Sequence, residues 1–424
     1  MKLRNLMYAT MIACAFASCS NDDVPTPDNG NPDAEGGTSL TVKFDKAADT
    51  KASGDIKSLS MLVFNADGKL ETIGTKTTTP AVEEGSDAVA HAVVDAGVKE
   101  VALIANYEVS AELKGKTKTE VFAALDKTFD SELEGDGLLT MNSKIYTNVA
   151  VAAGKKNVFG FASTPDGYVN VVGLSDDDLR NPVKLYRNVA KVVLKRIAAR
   201  AVTDGSKPKY SEPQLNLKEI FILQGHKKTN LMGEDWKEYG TTEVKDGGWY
   251  SAYGHTEWIG KDDKHNLVGE VTVPKTLDWI KTSISDVTVK TGEPYEVANS
   301  FYVYENTDKT YNTLLVVKGD FSYQIKDDGT RMTEEDRYYT IALGKDFTIG
   351  TGADNIASDL LELRGVDANE DGKYNGLYRN LQYDLTLTVT GPGYQTPGGG
   401  GDPTTLDVQC VVVPFGVVEQ DVEI

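Results

Sequence analysis

Short runs in which apolar and polar residues alternate, or in which β-branched residues cluster, recur along this 424-residue chain between Gly, Asp and Asn turn residues. Alternation with a period of two puts every second side chain on one face of an extended strand, so each run has a face to bury and needs a partner sheet. The runs are Leu40 to Phe44, Leu59 to Phe64, Ala88 to Val94, Val98 to Asn106, Val183 to Ile197, Leu215 to Leu223, Ser300 to Tyr304, Asn312 to Val317, Tyr338 to Leu343 and Tyr383 to Val389. Asn65-Ala66-Asp67-Gly68, directly after the second run, supplies residues that tolerate a positive φ. Two stretches read as helix instead: Lys118 to Thr128, with Val121, Phe122 and Leu125 at helical spacing, and a single turn at Asp176 to Leu179. The class is therefore mainly β with minor helices, and the length suits two tandem sandwiches. The polar stretch Ala201 to Pro213, with Gly205 and two prolines, puts their boundary near residue 205, giving sandwiches over residues 52–205 and 206–390. Gly391 to Pro403 has six glycines and three prolines, so residues 391–405 read as a linker.

The amino terminus is an address rather than a fold element. Lys2 and Arg4 precede an apolar stretch, Leu6 to Phe16, that is too short to span a bilayer, and the small pair Ala17-Ser18 precedes Cys19. Residues 1–19 thus read as a secretion signal. A cysteine directly behind small residues resembles a bacterial lipobox, whose acylated thiol would hold the precursor at the outer membrane. The other reading is an ordinary signal followed by an incidental cysteine. Ser20-Asn21-Asp22-Asp23 resembles the acidic surface-export signal of Bacteroidetes lipoproteins, and residues 20 to 38 have the composition of a polar tether. With Cys14 in the signal and Cys19 carrying lipid, Cys410 is the one thiol of the body, which leaves no disulfide framework and no thiolate zinc site in a single chain.

The two ends of the body complement each other. After the linker, Leu406, Val408, Cys410 and Val412 alternate with polar residues, and beyond Pro414 a second apolar series contains Phe415, Val418, Val422 and Ile424. Residues 406–424 therefore read as strand, either the last strand of their own domain or a strand offered to another molecule. At the other end Leu40, Val42 and Phe44 give a first strand with one apolar face, followed by a small, polar segment, Lys46 to Gly54, of the kind proteases cut. Cleavage after Lys51, or failing that Lys46, would remove residues 20–51 as a propeptide and leave an open sheet edge as a template for strand addition. A tail inserted there from a second subunit makes a heterologous contact, and repetition of that contact gives an open filament.

Four segments resemble the FimA/Mfa-type fimbrilins of Bacteroidales, which build type V pili. They are Tyr186-Arg-Asn-Val-Ala-Lys-Val-Val-Leu194, Asn299-Ser-Phe-Tyr-Val-Tyr-Glu-Asn306, Leu377-Tyr-Arg-Asn-Leu-Gln-Tyr-Asp-Leu385 and the tail from Leu406 to Ile424. The resemblance implies two transthyretin-like (Greek-key) β-sandwiches, lipoprotein export, removal of the first strand by a trypsin-like protease, and head-to-tail polymerisation with identical or related pilin subunits through the carboxyl-terminal strands, in the service of adhesion. The family's best-known members are cut after arginine, whereas no arginine lies between Arg4 and Arg180 here, so either a lysine-accepting protease acts, at Lys51 first and Lys46 second, or the cut lies elsewhere.

Charge and spacing narrow the other classes. Lys and Arg number 44 against 64 Asp and Glu, a formal charge of -20, which provides no basic footprint for nucleic acid. His91, His226, His255 and His265 sit in no recognisable catalytic spacing, and no cofactor motif is present, so no enzymatic activity is expected. Asp367-Ala-Asn369-Glu-Asp371-Gly372 begins like a calcium loop but has Tyr378 where a bidentate glutamate belongs, which favours a polar turn. The aromatic group Trp249, Tyr250, Tyr253 and Trp258 suits core or turn packing better than a sugar-binding face. The alternative to a pilus subunit is a monomeric surface lipoprotein that binds glycans, which would have no use for a free tail.

Overall fold

The computed structural model describes residues 37–44, 56–77, 89–128, 139–204, 207–208, 210–232, 249–250, 271–272, 280–297, 300–307, 312–325, 329–350, 356–397 and 406–414. It is mainly β, as the alternation requires, in two tandem sandwich halves. The first half is one ten-stranded sheet. Its strands in chain order are β1 (Ser39–Lys43), β2 (Leu59–Phe64), β3 (Leu70–Thr77), β4 (Val89–Val93), β5 (Gly97–Ala105), β7 (Met141–Asn142), β8 (Tyr146–Val151), β9 (Lys156–Phe159), β10 (Val169–Asn170) and β11 (Tyr186–Arg187). A short strand β6 (Asp126–Thr128) lies outside this sheet. The spatial order is β10-β9-β1-β4-β3-β2-β5-β7-β11, with β8 also paired to β5. The sheet curls over itself: Leu40 and Val42 of β1, Met61 and Val63 of β2, Val101 and Leu103 of β5, Val149 of β8 and Phe159 of β9 all bury into one apolar cluster. Strands from opposite ends of the order can meet this way only if the sheet closes around the core.

The intervening residues of β2 and β5 point the other way and are also buried. Leu62, Phe64, Ala102 and Ile104 meet the helix α1 (Lys118–Ala124), whose Val121 and Phe122 face them. The Phe122 ring stands edge-on to Phe64, with centroids 5.6 Å apart. Helix α1 starts where Thr117 Oγ1 accepts from the Glu120 N–H and the Glu120 carboxylate accepts from the Thr117 N–H. That reciprocal cap satisfies two amides that a seven-residue helix otherwise leaves unmade.

The second half packs two sheets face to face. One is built on β12 (Val189–Ala199), which runs parallel to Leu381–Val389 and antiparallel to Ser300–Tyr304. The other has Ser211–Leu223 and Leu314–Gln324 at its centre, with Arg331–Ala342 beyond. Val192, Leu194, Leu385 and Leu387 of the first meet Leu215, Leu217, Phe321 and Tyr339 of the second in one buried cluster.

Two expectations about boundaries change. The run read as one strand from Val183 to Ile197 is broken at Asn188: Tyr186–Arg187 pairs with β7 in the first sheet, while Val189–Ala199 belongs wholly to the second half. The changeover therefore falls at Asn188 and not near residue 205. Thr203–Asp204 and Lys207–Pro208 pair antiparallel on either side of residue 205 inside the second half, and Pro213 lies within the strand Ser211–Leu223, so neither proline there marks a domain junction. The linker expected from Gly391 is likewise tied down at its start, because Tyr394 exchanges both backbone hydrogen bonds with Tyr338.

Candidate functional site: the slot filled by the first strand

Strand β1 is an internal strand. It pairs antiparallel with β4 from Ser39↔Val93 to Lys43↔Val89 and parallel with β9 from Ser39↔Lys156 to Val42↔Phe159. Both of its edges are therefore hydrogen-bonded, although it is the first strand of the body and arrives from residues far from either neighbour in sequence. The alternation that identified it decides its orientation: Leu40, Val42 and Phe44 are between 0% and 1% exposed and complete the core of the first half. At about 1.5–3 kcal/mol for each large apolar side chain taken out of water, these three contribute on the order of 5–9 kcal/mol before ordering costs.

The opposite face is sealed as well. Thr41 is fully buried and its Oγ1 lies 2.9 Å from Nδ1 of His91, its partner across the strand pair. The Lys43 ammonium stands 5.7 Å from the centre of the Phe161 ring, which packs with Val89 and Val158 in a small cluster of its own. At the start of the slot the Ser39 N–H donates to the Lys155 carbonyl and the Asn157 amide donates to the Ser39 carbonyl. At its far end the Val183 N–H donates to the Lys43 carbonyl, 2.9 Å away, and Phe44 bridges to Val183. Gly160 stands beside this end with φ +84°, and a Cβ there would come within 2.6 Å of the Lys43 carbonyl oxygen. Only glycine both adopts that φ at no cost and lets the backbone of β1 pass so close. The slot floor includes Tyr146, whose phenol is pushed far above its ordinary pKa by burial and, secondarily, by the carboxylate of Asp178.

The tail has a different address. Leu406–Pro414 forms a strand antiparallel to Leu381–Val389, in a register that sets Leu406 opposite Val389, Val408 opposite Leu387, Cys410 opposite Leu385 and Val412 opposite Tyr383. Thr348–Ile349 pairs with its other edge at Val411 and Val412. Of the two arrangements open to the tail, its described part adopts the one within its own chain. Phe415, Val418, Val422 and Ile424 lie outside the described residues, as do Cys19, Lys46 and Lys51.

The remaining candidates resolve into structural roles where they can be followed. Asn369 Oδ1 accepts from the N–H groups of Asp371 and Lys373, so the Asp367 to Gly372 segment is a side-chain-stapled turn. Among the described residues no group of three or more His, Cys, Asp or Glu is placed to hold a metal ion. His226 is buried in the short strand Gly225–His226, which pairs with Trp249–Tyr250, while His255, His265, Tyr253 and Trp258 lie outside the described residues. Sequence reasoning found β1 but missed the wall against which it lies, β9 with Gly160. Its one signal is the apolar run Val158-Phe159 ended by glycine and resumed at Phe161, in which an isolated glycine marks a close backbone approach.

Comparison with known proteins agrees with this architecture. Residues 35–187, almost the whole first half, match the family model described as major fimbrial subunit protein (FimA). Residues 265–415, most of the second half, match the FimA4 pilin C-terminal domain, so each half is met by one of the two models. The chain is 24% identical over 442 residues to the major fimbrium subunit FimA type-3 of Porphyromonas gingivalis, covering all of both chains. It is 25% identical to a FimA type-2 subunit of the same organism over 447 residues, 99% of each. Among solved structures, one described as a cell adhesion protein of Parabacteroides distasonis superposes with a TM-score of 0.63 at 23% identity, covering 90% of this chain and 99% of the other. A fimbrilin of Porphyromonas gingivalis superposes with a TM-score of 0.59 at 19% identity, covering 91% and 99%.

Proposed function

Because the chain belongs to the FimA/Mfa-type fimbrilins and is thus a structural subunit of a cell-surface fimbrium, we propose that it reaches the surface as a lipoprotein acylated at Cys19 and polymerises by exchange of strands. Proteolysis after Lys51 or Lys46 releases β1, and the vacated slot takes the carboxyl-terminal segment of the next subunit. The observation that carries this reading is the internal position of β1. Withdrawing an edge strand exposes one row of backbone groups, whereas withdrawing β1 exposes two facing rows, on β4 and β9, together with an apolar floor. A strand supplied from outside can pair on both sides at once and refill the sites of Leu40, Val42 and Phe44.

The donor face is supplied by Leu406, Val408, Cys410, Val412, Phe415, Val418, Val422 and Ile424. Residues 406–414 pair within their own chain in the unprocessed subunit. Exchange therefore either draws that stretch out or uses the residues beyond Pro414. Loss of residues 1–51 leaves 39 Lys and Arg against 57 Asp and Glu, so the mature subunit stays strongly acidic and filaments repel one another sideways. Partners are identical or related pilin subunits, and no catalytic role is assigned to any residue.

Limited trypsin treatment of the purified chain, followed by gel analysis in detergent, tests the mechanism. The expected result is a ladder of oligomers that survives mild heating and an amino terminus at Ala52 or Ala47. A lasting monomer from which the first strand has been removed would refute it.

A further inference from the structure

Three of the four family-like segments meet at one buried point that strand exchange does not use. Glu305 directly follows the strand Ser300–Tyr304, Arg364 follows the helix Ile356–Leu363, and Arg379 precedes the strand Leu381–Val389. Their side chains are 0%, 2% and 1% exposed. Glu305 pairs with Arg364 through one carboxylate oxygen, and its other oxygen accepts from the Arg379 N–H at 3.0 Å with Arg379 Nε at 3.5 Å. The guanidinium of Arg379 then reaches across the molecule. It donates to Asn188 Oδ1 at 2.6 Å, to Thr229 Oγ1 at 3.1 Å and to the Asn230 carbonyl at 3.1 Å.

Those last partners connect the cluster to the half that holds the slot. Asn188 is the residue at which the chain passes from β11 of the first sheet to β12 of the second half. Thr229 and Asn230 belong to the strand Lys228–Asn230, which pairs with β6 directly after α1. The other side of the cluster adjoins what holds the tail: the helix before Arg364 lies beside Leu406–Pro414, and the strand after Arg379 is its pairing partner. The contact is also reciprocal. Tyr186-Arg-Asn and Tyr378-Arg-Asn are the same tripeptide, each leading into one of two parallel strands. Asn188 of the first accepts from Arg379 of the second, while Asn380 of the second accepts from the Arg187 N–H of the first at 2.9 Å.

We infer that Glu305, Arg364 and Arg379 are positioning residues that fix the angle between the slot-bearing half and the tail-bearing half, and through it the repeat of the polymer. The halves are held together by apolar contact as well, since one buried cluster runs from Phe64 and Ile104 to Val189 and Leu223. Apolar contact is non-directional and admits more than one angle. A forked guanidinium with fixed donor directions admits one, and if the halves slip, buried charge is left without its partners. The inference rests on the strand-exchange reading only where it speaks of the polymer.

The test separates the two. In the full unprocessed chain, Thr229→Val removes one acceptor of Arg379 while Thr229→Ser keeps it. A triple change, Glu305→Met with Arg364→Leu and Arg379→Met, replaces the ions by apolar side chains of similar volume. Small-angle scattering should show a broadened particle for Thr229→Val and for the triple variant, the parent profile for Thr229→Ser, and hydrogen exchange as slow as the parent's within β2, β5 and Leu314–Gln324. Should the triple variant not fold, the Thr229 pair alone decides. Trypsin-processed Thr229→Val should still give detergent-resistant ladders, but electron micrographs of its filaments should have lost the single helical repeat. Unchanged scattering and an unchanged repeat in Thr229→Val overturn the positioning role. If the parent itself forms no ladder, strand exchange is what fails, and the scattering of the monomers still judges the cluster.

Discussion

Gly160→Ala measures how tightly the slot grips whatever fills it. The φ of +84° costs a residue with a Cβ about 1–2 kcal/mol. The added carbon would sit 2.6 Å from the Lys43 carbonyl oxygen, a backbone atom that cannot swing aside. The end of β1 must shift, weakening the Val183 N–H bond to that carbonyl, worth about 1 kcal/mol. The sum of about 2–3 kcal/mol corresponds to a roughly 30- to 140-fold shift toward the open slot. Gly115→Ala is the control, because Gly115 has φ +79° with nothing within 4 Å of its would-be Cβ and incurs only the first cost. Urea unfolding of the unprocessed chain should show the larger loss for Gly160→Ala. If a donor strand from another subunit follows the path of β1, ladders made from Gly160→Ala should also fall apart at lower temperature than the parent's. A weakened precursor that yields ladders of unchanged heat resistance would refute the idea that the donor passes Gly160.

Three further outcomes are expected. Val422→Asp should leave the precursor folded and monomeric, and after trypsin treatment it should give no ladder, because the described floor of the slot is a largely apolar cluster in which a carboxylate is costly to bury; size-exclusion chromatography reads this directly. Thr117→Ala removes the cap of α1 and should lower stability by about 1 kcal/mol in chemical denaturation, with polymerisation unaffected since α1 lies outside the slot. Hydrogen bonds from Lys218, and next from Lys318, hold the Asp336 carboxyl below its ordinary pKa. The lowered value means the stabilisation is complete above the usual carboxylate range near pH 4 and disappears as pH falls through the depressed value. Asp336→Asn should therefore be less stable than the parent by a small constant amount from pH 8 to pH 5, with the gap closing below about pH 4 in thermal melts.

Local periodicity was enough to place individual strands, and not enough to say what each strand lies beside. Leu59–Phe64 and Ser300–Tyr304 match their expected limits residue for residue. The long hairpin arms Leu314–Gln324 and Arg331–Ala342 extend well past the apolar runs that announced them, because their outer turns alternate polar residues that carry little hydrophobic signal. The helix Ile356–Leu363 was missed: its apolar residues fall in a short stretch without a marked start. At the slot, alternation identified Leu40, Val42 and Phe44. Neither β9 nor Val183 could be paired with them from sequence, as each lies more than a hundred residues away and pairing between distant strands leaves no local mark. The segments around Arg187, Glu305 and Arg379 were visible as a family likeness, but a buried ion cluster depends on three separated residues meeting, and one-dimensional patterning is blind to that.

The position of β1 also bears on when assembly can begin. In the unprocessed chain the slot is occupied on both edges, and the first part of the tail is paired along nine residues of its own sheet. An apolar strand and an apolar slot left open together would invite indiscriminate aggregation during export, since free edges pair with any extended chain. Keeping each covered by a local partner would make the precursor inert and, on the proposed mechanism, leave the decision to one covalent cut. On the proposed mechanism, that cut would leave β1 untethered, so its effective concentration at the slot would fall from that of a linked segment to that of a separate peptide. A neighbour's tail would then compete against a diluted strand instead of a captive one, and the proposed exchange would run in one direction. The proposal accordingly demands that a chain cut at Lys51 but prevented from losing its first strand, by a disulfide engineered between residues 41 and 91, stay monomeric until reductant is added. Ladders that appear before reduction would show that the slot is not where subunits join.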